Sequence, residues 1–173
     1  MDINLRTFIN RLESLPDNPS HDGLKKCLRE MDGRQVSIDE YVNFSEQGYK
    51  RNVVHVSSRC EISVLCFQTG QHTPIHDHGG SIGVTIIRQG TMTEEMFNKQ
   101  PTGMIVSTFT RRFQTEEFSY VNLTTIHRVS NAHSEGLVMI NIYFPPLTVM
   151  NFYNLENASV EKWVADYSGV KGT

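Results

Sequence analysis

"GQHTPIHDHGGSIGVTIIRQG", residues 70–90, sets His76 and His78 two positions apart and encloses them in glycine. On an extended strand successive side chains leave opposite faces, so His76 and His78 share one face and Asp77 takes the other. Two imidazoles so placed can grip one metal ion; the structural alternative is that each only meets a polar partner at a strand end. The stretch also belongs to a series of short apolar runs cut by turns. They predict strands over 50–57, 61–68, 74–78, 82–88, 92–97, 104–109, 117–122, 126–129 and 137–144. Short strands at this close, regular spacing predict an all-β core, an antiparallel barrel or sandwich.

Ahead of the strands the pattern is helical. Leu5, Phe8, Ile9, Leu12 and Leu15 recur at helical spacing until "LPDNPSHDG" breaks it. Leu24, Cys27, Leu28 and Met31 repeat the pattern, which ends at Asp32 and Gly33. "SIDE", Ser37 to Glu40, has the form of a capping box before a third short helix. Residues 1–47 are thus expected to form a helical extension packed on a barrel of residues 48–173, as one structural unit. The tail "VEKWVADYSG" is expected to be a closing helix or an irregular cover.

A chain of 173 residues can bury a sizeable core as one domain. Its 19 acidic and 16 basic residues are dispersed, and the lack of a basic cluster argues against nucleic acid or an anionic membrane as partner. With no signal-like or long apolar run, a soluble cytoplasmic protein is expected, as a monomer or weak homodimer. Cys27, Cys60 and Cys66 form neither a CxxC pair nor an even framework, so they are read as reduced and structural.

The surroundings of the histidine pair favour a metal. Gly70, His76, His78 and Gly90 keep the spacing G-x5-H-x-H-x4-E-x6-G, with Gly83 in the place of the Glu. Downstream, "IHRVSN" supplies His127 and Asn131 in the spacing H-x3-N. These two stretches resemble the two cupin motifs. Without the Glu, the donors are three neutral imidazoles, a set suited to Fe(II), Ni, Cu or Zn rather than Mg or Ca. His21, His55, His72 and His133 are expected in surface or supporting roles.

Further segments sharpen the resemblance. "YKRN" at 49–52, "IHDHGGSIG" at 75–83, "HRVSN" at 127–131 and "IYFPP" at 142–146 occur in order across a little over half of the chain. Together they resemble the cysteine dioxygenases and their thiol dioxygenase relatives, bacterial members above all. The resemblance implies Fe(II) on His76, His78 and His127, with a small thiol and O2 as reaction partners and a sulfinate as product. It also implies that Arg51 holds the substrate carboxylate, a task its planar fork suits. Relatives that oxidise mercaptopropionate carry Gln at that position, so Arg51 points to an amino-acid thiol, L-cysteine first. Arg51, Val53 and His55 are expected on one strand face.

Tyr143 is the next candidate catalytic residue, since its hydroxyl can hydrogen-bond substrate or oxygen and move a proton. In "GLVMINIYFPP", Val138, Ile140, Ile142 and Phe144 make one apolar face, while Met139, Asn141 and Tyr143 share the other and would line the pocket. The family carries Ser-x-His-x-Tyr there, so Met139 and Asn141 depart from its relay. Asn141 can hydrogen-bond but cannot shuttle a proton at neutral pH. Gly83 stands where animal enzymes have the cysteine of a Cys–Tyr crosslink. Two other readings stay open: a metal-binding cupin altered to ligand binding, and a cupin isomerase or decarboxylase that needs no O2.

Overall fold

The computed structural model describes residues 4–30 and 36–168. Asn4 caps the first helix, α1 (Leu5–Glu13), by accepting from the Arg6 N–H at 2.8 Å. Helix α2 spans His21–Glu30; the expected end of its pattern at Met31, Asp32 and Gly33 lies outside the described residues. The strands are β1 (Lys50–Val56), β2 (Glu61–Phe67), β3 (Ile75–His76), β4 (Ile82–Gln89), β5 (Thr91–Lys99), β6 (Ile105–Gln114), β7 (Phe118–Val121), β8 (Ile126–Ser130), β9 (Leu137–Phe144), β10 (Val149–Tyr153) and β11 (Val160–Val164). All pair antiparallel, in two sheets ordered β1-β2-β9-β4-β7 and β11-β10-β3-β8-β5-β6. Among the described residues no helix is long and apolar enough to cross a membrane.

Central strands β2 and β9 are buried at every position because both faces of their sheet are covered. On the outer face, Ile62, Val64, Ile140 and Ile142 pack under Phe8, Leu12, Leu24 and Leu28 of the two helices. On the inner face, Leu65, Phe67 and Met139 meet Met92 and Val129 of the other sheet. The alternation read in "VMINIYF" therefore holds, with Met139, Asn141 and Tyr143 facing inward. Burial on both sides stabilises this sheet by roughly 1.5–3 kcal/mol for each fully buried aliphatic side chain.

Four local expectations are corrected. The capping box does not form: a single 3-10 turn, Asp39–Tyr41, follows Ile38 with no side-chain cap, because buried Val36 and Ile38 draw this segment onto the core. The tail is strand β11, whose alternating "VEKWV" pairs with β10, a strand hidden from sequence reading behind Pro145 and Pro146. The strand expected over 74–78 shrinks to Ile75–His76, since Pro74 brings no N–H and Gly79 and Gly80 turn the chain at positive φ. Finally, His55 does not share a face with Arg51. A bulge at Val54 pairs Val53 with Ser63 but His55 with Ile62, turning His55 outward.

Outward, His55 meets helix α1. Its Nε2 lies 2.7 Å from Glu13 Oε1, and the Cys60 thiol donates to the same oxygen at 3.4 Å. Burial raises the Glu13 pKa, but hydrogen bonds from His55, Ser57 and Cys60 outweigh it and hold the carboxyl below its ordinary value. Glu13 therefore stabilises the fold above the ordinary carboxylate range, and that contribution disappears as pH falls through the lowered value. Denaturant melts of Glu13→Gln should show a shallower loss of stability between about pH 5 and about pH 3 than the parent chain. Equal pH slopes would mean that this contact does not hold α1 on the barrel.

Candidate metal centre

His76 lies on β3 and His127 on β8, paired in register, while His78 follows β3 just before the Gly79–Gly80 turn. Their ring centroids stand 4.7, 4.8 and 4.9 Å apart, and one ligand atom from each lies within 4.8 Å of the others. All three are buried. His76 Nδ1 donates to the Pro74 carbonyl at 2.9 Å, and His127 Nδ1 lies 2.5 Å from Glu94 Oε1, which leaves each Nε2 for the common centre. Among the described residues, neither ring nitrogen of His78 meets a protein partner in full hydrogen-bond geometry, although the Thr125 backbone lies close enough to act on the ring. A buried imidazole in that condition fits a metal ligand. Burial first, then the His127 charge, pushes the His76 pKa down to about 3, and the same causes hold His78 well below its ordinary value. Both rings are neutral at physiological pH, as ligation requires.

A supporting layer orients these rings. Asp77, on the opposite side of the segment, accepts from the Asn151 backbone N–H at 3.0 Å, Asn151 Nδ2 at 2.8 Å and the Tyr153 hydroxyl at 2.7 Å. Glu94 is 1% exposed; it accepts from Arg111 Nε at 2.6 Å and from the Ser119 hydroxyl at 3.2 Å. Burial opposes ionisation of Glu94, but His127 and Arg111 prevail and hold its pKa low. Sequence reading missed Glu94, although a glutamate alternating with Met92 on an inward strand face was the available signal.

The candidate residues converge. Arg51, His76, His127, Met139, Asn141 and Tyr143 line one cavity of about 30 Å³, and His78 stacks on the Tyr143 ring at 5.6 Å between centroids. Asn141 Nδ2 donates to the Tyr143 hydroxyl oxygen at 2.9 Å. Arg51 is not alone: its Nη2 donates to the fully buried carboxylate of Glu61, a second residue that sequence reading missed. The ring of the motif neighbour His72 bonds the Thr73 carbonyl, at 2.9 Å, and neither His72 nor His133 is among the cavity residues.

The family model for cysteine dioxygenase type I matches residues 25–156, which include every one of these residues. The chain belongs to the cysteine dioxygenase type I family. Cysteine dioxygenase type 1 of Homo sapiens is 28% identical over 120 residues, covering 66% of this chain and 60% of that protein. The Rattus norvegicus protein is 26% identical over 119 residues, covering 66% and 60%, and that of Danio rerio 28% over 156 residues, covering 83% and 67%. The chain thus spans 60% of the length of the human and rat proteins. Among solved structures, an uncharacterized Klebsiella pneumoniae protein with a double-stranded β-helix domain has a TM-score of 0.52 at 17% identity, covering 75% of this chain and 96% of that one. The cupin domain of Cnp3 from Schizosaccharomyces pombe has 0.51 at 15%, covering 62% and 72%. The fold is that of a cupin.

Within the cysteine dioxygenase family, the position of Gly83 has a physical reading. Gly83 pairs with Tyr143 across β4 and β9, and a Cβ there would stand 2.6 Å from Tyr143 Cδ1 and 2.9 Å from the Ile142 carbonyl oxygen. The missing side chain lets the tyrosine ring lie against the strand. Gly83→Ala is expected to push the ring off Asn141 and to cost about 1–3 kcal/mol in denaturant melts; an unchanged midpoint would show that the ring does not rest there. Glu94→Gln should weaken metal binding about 10- to 100-fold in a chelator competition while leaving the fold intact. Unchanged affinity would remove Glu94 from the support of His127.

Proposed function

We propose that this protein is an Fe(II)-dependent dioxygenase of small thiol carboxylates, with L-cysteine converted to cysteine sulfinate. The observation that carries this reading is the placement of three imidazole donors, a guanidinium and a tyrosine hydroxyl around one buried cavity, in a member of the cysteine dioxygenase family. In the overall reaction one thiol and one O2 combine into one sulfinic acid. Sulfur supplies the electrons that reduce both oxygen atoms, so no further reductant is needed. Fe(II) held by His76, His78 and His127 would supply the redox-active centre that activates thiolate and O2 together.

The chain's own groups bind and orient. Arg51 clamps the substrate carboxylate through the part of its fork that Glu61 leaves available, with a directional control that lysine lacks. Tyr143 accepts from Asn141, so its own proton is directed away from Asn141, and it donates into the cavity. Burial, then the neighbouring Glu61 charge, raises the Tyr143 pKa, and the hydroxyl acts as a neutral donor at physiological pH. Asn141 holds that hydroxyl in place without relaying a proton. Met139 closes the wall behind it and excludes water. The free, buried Cys27, Cys60 and Cys66 suit a reducing, cytoplasmic setting.

The test is oxygen uptake by the Fe(II)-reconstituted protein over a panel of thiols. Cysteine should be consumed with a product heavier by two oxygen atoms. Arg51→Ala should raise KM for carboxylate thiols by about tenfold or more and affect thiols without a carboxylate little. Equal effects on both classes would take Arg51 out of the substrate site, and turnover that persists under argon would contradict the dioxygenase reading.

A further inference from the structure

Residues 160–168 cover, from outside, Arg51 and the Leu147 and Met150 part of the cavity lining. Strand β11 pairs with β10 from Val149↔Val164 to Tyr153↔Val160, and the Ala165 N–H extends the contact to the Thr148 carbonyl at 2.9 Å. Tyr167 then turns inward. Its hydroxyl donates to Glu61 Oε2 at 2.5 Å, with the Leu147 carbonyl 2.9 Å away, while the Leu147 N–H donates to the same carboxylate at 3.2 Å. The Trp163 and Tyr167 rings stand 5.5 and 5.9 Å from the Arg51 guanidinium carbon. Trp163 also packs against the cluster of Tyr143, Leu147 and Met150. Arg51 is thus paired from one side and roofed by two aromatic rings.

Size makes this arrangement consequential. A cavity of about 30 Å³ holds a few waters at most, and a thiol carboxylate such as cysteine is several times larger than water. Some wall has to move. The five-stranded sheet is packed on both faces, and β3, β8 and β5 are each paired on two sides. Strand β11 is an edge strand with four of its five residues exposed. Its Trp163 backs Tyr143, Leu147 and Met150 of the cavity lining from outside, and displacing this edge strand breaks few buried contacts.

We propose that residues 160–168 form a substrate-operated strap, latched by Tyr167 on the Glu61–Arg51 pair, which a thiol carboxylate lifts as it takes up the part of the guanidinium that Glu61 leaves available. This rests on the assignment of Arg51 to the substrate carboxylate. Glu61 is then a positioning residue: it keeps Arg51 aimed at the cavity mouth and ties its state to the strap. The gate selects for the carboxylate as well as binding it, because a thiol without one has nothing with which to displace the rings.

Trp163 is the one tryptophan of the chain, so its fluorescence reports the strap directly. In iron-loaded protein under argon, cysteine should shift Trp163 emission to the red and raise its quenching by caesium severalfold, whereas cysteamine, the same thiol without the carboxylate, should do neither. Tyr167→Phe keeps the ring and removes the latch. It should expose Trp163 before any substrate is added and narrow the preference for cysteine over cysteamine in kcat/KM at least threefold, through a lower KM for cysteamine; a merely structural role would lower both thiols alike. Trp163 equally shielded with and without cysteine, while cysteine drives oxygen uptake, overturns the gate and leaves the functional reading intact. No oxygen uptake with any thiol, while Tyr167→Phe still unmasks Trp163, overturns the functional reading and supports the latch.

Discussion

Burial of His76 and His78 against a third imidazole, His127, obliges those two rings to stay neutral, and the rest of the site is arranged around that constraint. Two protonated rings with centroids less than 5 Å apart would repel strongly in so dry a setting. The spare nitrogens of two of the three rings are tied off, by the Pro74 carbonyl for His76 and by Glu94 for His127. Glu94 is itself a buried charge, which a neighbouring cation must offset, and Arg111 does so from β6. A surface-facing arginine on an edge strand is in this way part of the geometry of a histidine in the interior.

The second half of the cavity obeys the same rule. Arg51 and Glu61 neutralise one another, and Asn141 and Tyr143 are linked by one hydrogen bond between neutral groups, so the wall opposite the histidines carries polar groups without a net charge. A metal ion held by this donor set would then keep its positive field, since neither a carboxylate ligand nor an unpaired arginine alters it. An anionic thiol is the ligand such a field favours. Gly83 completes the layout by subtraction, for only a residue without a side chain lets Tyr143 lie where Asn141 can reach it.

Much of this was legible in the sequence, and what was not has a common cause. Period-two alternation located strands β1 to β9, with β3 shorter than expected, and the inward face of β9, because both are properties of a single segment. The spacing of His76, His78 and His127 against the glycines carried the convergence of the triad, since a barrel brings the two motifs together. Glu94, Glu61 and Trp163 were missed because their partners lie 33, 10 and over a hundred residues away and nothing local marks them. The bulge at Val54 reversed the expected face of His55, as one inserted residue inverts a period of two. Prolines 145 and 146 masked β10, and without β10 the partner of β11 could not be seen.

The most direct measurement is the fate of isotopically heavy dioxygen. Protein reconstituted with Fe(II) in the absence of air is mixed with cysteine and labelled O2, and the product is weighed by mass spectrometry. Cysteine sulfinate carrying both heavy oxygen atoms, formed by the parent chain and not by His127→Ala, is the expected result. Unchanged cysteine over fully bound iron, or a product whose oxygen comes from water, would contradict the account.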